Sequence, residues 1–499
     1  MPKNLCAVLS VRFQSSESSG LVVLVAKAHQ QKSQLSLKRR EFAKRELIAL
    51  YDSASFKDPP SIGAVSQLFY FSGSATLSYF LVAKSIAWRL IMTQASSLPT
   101  KIMNDQIVVD VERSSPGDSV TGNPLLKRIT KRFAGLPISF GLTTQDGNAH
   151  LCGSGRPEFW VLLKDRRALL ALASTDEGRI AAAYLDGTIN IEGDWLRALE
   201  LRQYLSDFHP VNRVWQRYLQ PLLFGQIRTN AKAIHTHYDF DSDFYQAFQD
   251  PKTRCYTQGI FLRDDESLEE ATARKLDFCF EACKLKPGDH VLEVGPGWGA
   301  FSSYAAQKGI RMTGVTNSIK SKEFMDDLGK RLDVQWEMVP ADILKFRTSE
   351  RFDAIVLMGI MEHLPDYGRV LRKFQELLKP GGYVYLDASA TRVKFEASSF
   401  ISRYIYQGNH SFFILHDFLT ELAKTPFCLR GVYDDRHSYF LTFRHWAQNF
   451  EANRERIIEK YGQFHYRRFH LYLWGSTHSF LTDILQCYRV VLELPHGAG

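Results

Sequence analysis

No cysteine motif organises this chain. Its seven cysteines are scattered and odd in number, and nothing near Cys279 and Cys283 completes a metal site. A disulfide scaffold and a zinc module are therefore not expected, and free thiols in a reducing compartment are. Charge of one sign is also missing from most of the chain. The net charge is +8, yet residues 1–102 alone hold 13 Lys and Arg against 5 Asp and Glu. The remainder is neutral, which argues against a nucleic-acid partner. What is present is 499 residues with 45% hydrophobic content, enough for two or three globular domains.

Residues 1–60 are rich in Ser, Lys and Arg and poor in acid, with basic clusters at Lys38-Arg39-Arg40 and Lys44-Arg45. That composition suits a disordered leader or an organelle transit segment. Residues 62–83 carry no charge and are long enough to span a bilayer, although Gln67, two glycines and several serines dilute them. A third reading is that translation starts at Met92 or Met103. The leader as a whole is taken as 1–102. A small α+β domain is expected over 120–205, with a hairpin at Asp146-Gly147 and a helix over Arg166–Ala173. A linker helix over 206–235 follows. Its Val211, Val214, Trp215, Tyr218, Leu219 and Leu222 share one face, for packing two domains together or for touching lipid headgroups.

From 236 to 499 one larger domain is expected. Helix Leu268–Cys283, strand His290–Val294, strand Arg311–Thr316, strand Phe352–Met358, helix Tyr367–Leu378 and strand Tyr383–Leu386 alternate. This predicts an α/β fold, a Rossmann-like parallel sheet with helices on both faces. Ligands on such sheets bind at the carboxyl ends of the strands. There the chain reads Glu293-Val294-Gly295-Pro296-Gly297-Trp298-Gly299. Glycines let a backbone bend sharply and approach a ligand. The six-position nicotinamide fingerprint is absent, because Gly295, Gly297 and Gly299 lead to Ala300. Glu293 can orient an amino-acid end. Thr316 and Asn317 can reach a ribose and Asp342 an adenine amino group. Their rival readings are an ordinary strand-end turn and a helix N-cap. The set fits S-adenosylmethionine.

These segments resemble the cyclopropane-fatty-acyl-phospholipid synthase and mycolic acid methyltransferase family, from about residue 125 to 495. The resemblance rests on Tyr184-Leu185-Asp186-Gly187 and Glu192-Gly193-Asp194 in the small domain. It continues through His237-Tyr238-Asp239, Asp243-Phe244-Tyr245, Glu362-His363, and Phe400-Ile401 with Tyr404-Ile405. The series ends with His437-Ser438-Tyr439, Thr442, Trp446 and Asn449-Phe450-Glu451-Ala452-Asn453. Gln407-Gly408 replaces the family's Pro-Gly. The resemblance implies a class I methyltransferase sheet. It also implies attack on the sulfonium methyl by the double bond of an unsaturated acyl chain, with bicarbonate as the base that then removes a proton. Glu362 and Tyr439 take two of the base-site positions, and Tyr256 and Thr257 line the cofactor.

Two positions depart. Gln258 stands where the family has cysteine, and Asp387 where it has histidine. Ser476 replaces a further cysteine. A second carboxylate beside Glu362 repels a bound anion, so Gln258 and Asp387 weigh against bicarbonate. The expectation is that Glu362 or Asp387 is itself the base, or positions a water; the rival reading has Asp387 capping a turn. His363 is another candidate base. Aromatics dense near the C-terminus suit an apolar channel for a cationic intermediate. The expected activity is methyl or methylene transfer to unsaturated phospholipid acyl chains. The alternatives are a methyl-branching lipid methyltransferase, an N-methyltransferase of small amines, and a non-catalytic lipid-binding relic. The expected setting is cytoplasmic and peripheral to a membrane, with organelle targeting by residues 1–60 and a homodimer both left open.

Overall fold

The computed structural model describes residues 6–14, 19–27, 123–207, 241–393, 398–406 and 411–497. Residues 1–114 and 115–499 form two compact units. In the first, β1 (Cys6–Gln14) pairs antiparallel with β2 (Ser19–Lys27). Both runs carry several Val residues, which favour strands. The average composition of the expected leader conceals them. The apolar stretch at 62–83, the helix at 211–224, most of the linker, the His237-Tyr238-Asp239 motif and Gln407-Gly408 lie outside the described residues. Among the described residues no helix is long and apolar enough to cross a membrane.

The second unit begins with a small α+β layer. Helix Pro124–Phe133 starts with Pro at its first position, and the Asn123 side chain accepts from Leu125 N and Leu126 N, both favourable at an N-terminus. Strands β3 (Phe140–Thr143), β4 (Ala149–Cys152), β5 (Phe159–Leu163) and β6 (Ile189–Gly193) form a sheet ordered β4-β3-β5-β6. The β3–β4 hairpin turns at Asp146-Gly147, where Gly147 has φ 79°. Helices Arg166–Ser174 and Glu177–Leu185 cover it, capped by Asp165 and Asp176. Phe133, Phe140 and Phe159 are fully buried between these layers, each adding roughly 1.5–3 kcal/mol of hydrophobic stabilisation.

The larger layer holds β7 (His290–Val294), β8 (Arg311–Thr316), β9 (Trp336–Pro340), β10 (Phe352–Met358), β11 (Leu378–Ala390), β12 (Cys428–Asp434) and β13 (Gln486–Glu493). Their order is β12-β13-β11-β10-β7-β8-β9. β9, β8, β7, β10 and β11 run parallel, and β13 runs antiparallel to both β11 and β12. Strand order reverses between β7 and β10, and a ligand crevice opens at such a reversal. The fold is thus the expected α/β class. β11 is longer than Tyr383–Leu386 suggests. A register shift absorbs Pro380-Gly381-Gly382, so that Leu378 still pairs with Phe352, and pairing with β13 carries the strand on to Ala390.

The C-terminal helix Gln463–Leu481 joins the two layers. Arg467 Nη1 donates to Tyr184 O at 2.9 Å, and Tyr184 Oη lies 3.0 Å from His470 Nδ1. Glu451 Oε1 holds both His470 Nε2 at 2.7 Å and Trp474 Nε1 at 2.9 Å. The Tyr-Leu-Asp-Gly segment seen in the sequence is therefore an anchor between layers.

Candidate active site

Three glycines shape the turn after β7. Gly295, Gly297 and Gly299 have φ of 70°, 53° and 80°, a region that disfavours any side chain. Gly299 opens helix Ala300–Gln307, and a Cβ there would meet Leu328 and Met325. Gly297 is different: no protein atom stands within 4 Å of where its Cβ would lie. Its bareness leaves room for a ligand.

That room belongs to a cavity of about 590 Å³. The glycine turn and Glu293 form one wall, Thr316 and Asn317 a second, Asp342 a third, and Tyr256 and Thr257 a fourth. Glu293 is buried, accepts from Ser302 Oγ, and is pushed up to about 7 by burial. The strand-end turn reading of Thr316 holds alongside its lining role, whereas Asp342 caps a turn and not the helix its rival reading expected, since no helix lies between β9 and β10. Thr316 Oγ1 accepts from Ser318 N at 3.1 Å, and Asp342 Oδ1 accepts from Leu344 N at 2.8 Å. Every residue that the sequence assigned to the cofactor except Gly299 therefore borders one space. A carboxyl at one end, hydroxyl and amide groups midway and a second carboxylate beyond match the polar groups of S-adenosylmethionine.

A second cavity of about 210 Å³ shares Tyr256, Thr257, Gly359 and His363 with the first. Glu362, Tyr439 and Ser476 line this one. Glu362 sits in the short turn after β10. Its Oε1 accepts from Ser389 N at 2.7 Å, whereas Oε2 is buried without a hydrogen-bond partner. Burial pushes this carboxyl up to about 7, and nearby Asp387 adds to the rise. His363 is pushed the other way, down to about 4, by burial alone, so it is a weak proton acceptor near neutrality. Burial holds the Tyr439 hydroxyl well above its ordinary value, keeping it neutral. Aromatic rings wall the space: Tyr439 lies 4.6 Å from Phe480 and 4.9 Å from Phe443, and Tyr256 lies 5.4 Å from Trp446. Such faces stabilise a passing cation. Tyr472 joins them, its hydroxyl hydrogen-bonded with those of Tyr256 and Tyr406. Its spacing in an aromatic-rich helix did not distinguish it from core.

Two base-site expectations change. Asp387 is enclosed completely and ion-pairs with Lys275, Nζ to Oδ2 at 3.3 Å, while its Oδ1 accepts from Gly359 N at 3.0 Å. Burial raises its proton affinity and Lys275 opposes that rise. Burial would likewise discharge Lys275, but Asp387 holds it charged. Asp387 lines neither cavity; it supports the turn at Gly359 and, through Lys275, the Thr257 hydroxyl. Gln258 also lines neither. Gly259 N donates to Thr442 Oγ1 at 2.9 Å and Phe261 N to Ser438 Oγ at 3.1 Å. These bonds turn Gln258 inward, where it donates to Asp435 Oδ2 at 3.1 Å. Lys275, which supports the Thr257 wall of both cavities, is the residue that sequence reading missed. It sits on an amphipathic helix, 112 positions from its partner.

The family model for mycolic acid cyclopropane synthetase matches residues 226–490, more than half of the chain. The chain belongs to that family. It is 25% identical over 329 residues to the sphingolipid C9-methyltransferase of Candida albicans, covering 62% of this chain and 64% of that protein. The chain thus spans under two thirds of that relative's length. It is also 25% identical over 403 residues to a probable fatty acid methyltransferase of Pseudomonas putida, covering 75% of this chain and 97% of that one. Among solved structures, coclaurine N-methyltransferase bound to N-methylheliamine and S-adenosylhomocysteine superposes with TM-score 0.52 at 17% identity, covering 63% of this chain and 99% of that one. That likeness supports the fold of the family member and nothing finer.

Proposed function

We propose that the protein adds a methyl-derived carbon to the double bond of an unsaturated lipid chain, in the manner of cyclopropane-fatty-acyl-phospholipid synthases, with Glu362 as the base. One observation carries the reading. Glu362 lines an apolar cavity that shares a wall with the cofactor cavity, one of its carboxyl oxygens has no hydrogen-bond partner, and burial raises its proton affinity. The lipid-directed names of the Candida and Pseudomonas relatives agree.

S-adenosylmethionine, when bound, supplies an electrophilic methyl group. Glu293, Thr316, Asn317 and Asp342 would hold it, and Gly297 leaves the space. Tyr256, Thr257, Gly359 and His363 stand at the junction, where the chain's double bond would have to lie. The aromatic wall excludes water and faces the positive charge that develops on the lipid. Glu362 Oε2 takes the proton that the cation sheds, and the Ser389 N–H holds the carboxylate in place. If the proton leaves the new methyl group, its C–H electrons close a cyclopropane ring. If it leaves a neighbouring chain carbon, a methyl-branched alkene forms. The second outcome gains support from the loss of the family's base-site histidine and cysteine, since Asp387 and Gln258 are committed elsewhere. It does not call for bicarbonate. A peripheral membrane contact is part of the proposal, because the substrate resides there.

The test uses S-adenosylmethionine bearing a trideuterated methyl and cis-unsaturated phospholipid vesicles. Chain products with two deuteriums identify the ring, and products with three identify the branch. Label on an amine in place of the chain overturns the proposal.

A further inference from the structure

The second cavity does not stop at the catalytic layer. Its lining continues into the small α+β layer, where Phe133, Phe159, Val161, Leu172 and Ile189 border it and all are buried. The C-terminal helix Gln463–Leu481 runs along it. Tyr472, Gly475, Ser476 and Ser479 line the cavity at the three- and four-residue spacing of one helix face. Tyr472 sits at the reaction end, bonded to Tyr256 and Tyr406. Ser479 sits at the other end, where Arg202 Nη1 of the small layer donates to it at 3.3 Å. Gly475 lies between.

A glycine inside a helix is less stable than an alanine. Close packing does not demand this one, because no atom stands within 4 Å of where its Cβ would be. The open space is part of the same cavity that Glu362, almost wholly buried, also lines.

We infer that the hydrocarbon segment beyond the reacting double bond passes Gly475 into the small layer, and that Gly475 is a specificity-determining residue for chain length. The inference rests on the lipid reading above and names where the chain goes. A single alkyl chain is the occupant that fits, since the small-layer wall is apolar apart from the Glu177–Arg202 ion pair, and the space is continuous with the reaction end. The small layer is then part of the substrate site, and its Tyr-Leu-Asp-Gly anchor keeps the channel halves in line.

The test is a graded series, Gly475→Ala, Gly475→Val and Gly475→Leu, in the full chain. Each variant is assayed on cis-unsaturated phospholipids that differ only in the number of carbons beyond the double bond. Wild-type rates are expected to persist for short distal segments. For long ones kcat/KM should fall about 10-fold or more at Gly475→Leu, with Val between. Gly475→Ala should melt no lower than wild type, which separates a blocked channel from a misfolded protein. A second readout needs no methyl transfer: calorimetric binding of saturated fatty acids of increasing length. Wild type should gain affinity with length, and Gly475→Leu should stop gaining sooner. Loss of transfer with this length ladder intact would count against the methyl-transfer reading alone. A uniform effect across lengths, or an unchanged ladder in Gly475→Leu, would overturn the channel proposal.

Discussion

Lys275 Nζ lies 3.3 Å from Asp387 Oδ2, with both side chains fully enclosed. The pair joins the helix that precedes the cofactor strand to the strand that backs Glu362. Breaking a buried pair from one side leaves an uncompensated charge, at a cost of about 3–5 kcal/mol. Lys275→Met and Asp387→Asn are each expected to lose that order of stability in urea unfolding. The double variant Lys275→Met, Asp387→Leu should recover most of it, since apolar replacements of both partners are often neutral.

Glu362→Gln keeps the shape of the site and removes the proton acceptor. Methyl transfer should fall by about 10²–10⁴, the usual contribution of a positioned general base. Affinity for S-adenosylhomocysteine, measured by calorimetry, should stay near wild type, because Glu362 lines the second cavity and not the first.

The pH profile follows from the same group. A base works deprotonated, and burial pushes Glu362 up to about 7. Activity should therefore rise with pH through a midpoint near 7. Asp387 contributes to that rise by repulsion, so Asp387→Asn should move the midpoint to lower pH without abolishing the rising limb. The stability sign is opposite. A carboxyl whose folded value is raised stabilises fully below its unfolded value, and this contribution is lost as pH climbs through about 7.

Gly297→Val places a branched side chain at φ 53° and into the cavity. The backbone strain alone is on the order of 1–3 kcal/mol. Weaker binding of S-adenosylhomocysteine is expected, with Gly297→Ala between the variant and wild type.

Much of this was legible in the sequence because it is local. The βαβ alternation, the three glycines and the strand-end polar residues sit where their periodicity puts them, and all but Gly299 of the cofactor set meet at one cavity. Tertiary relations were not legible. Asp387 looked like a second acidic group at the base site because its cation lies 112 positions away in a helix face that also reads as core. Gln258 looked like an active-site substitution because its chain neighbours Tyr256 and Thr257 are in the wall. Only the bonds from Gly259 and Phe261 to Thr442 and Ser438 show which way it turns. The full length of β11 was hidden by Pro380-Gly381-Gly382, a breaker signal that a register shift absorbs. The shared channel of the two layers could not be read at all, since separate core patterns say nothing about the gap between them.

The most direct measurement is transfer of labelled methyl groups in carbonate-free buffer. Vesicles would present a cis-unsaturated phospholipid and its saturated counterpart side by side. The account predicts label in the unsaturated chain alone, undiminished by the missing bicarbonate and lost in Glu362→Gln. Label in the saturated lipid or on a headgroup nitrogen, or full transfer by Glu362→Gln, would contradict it.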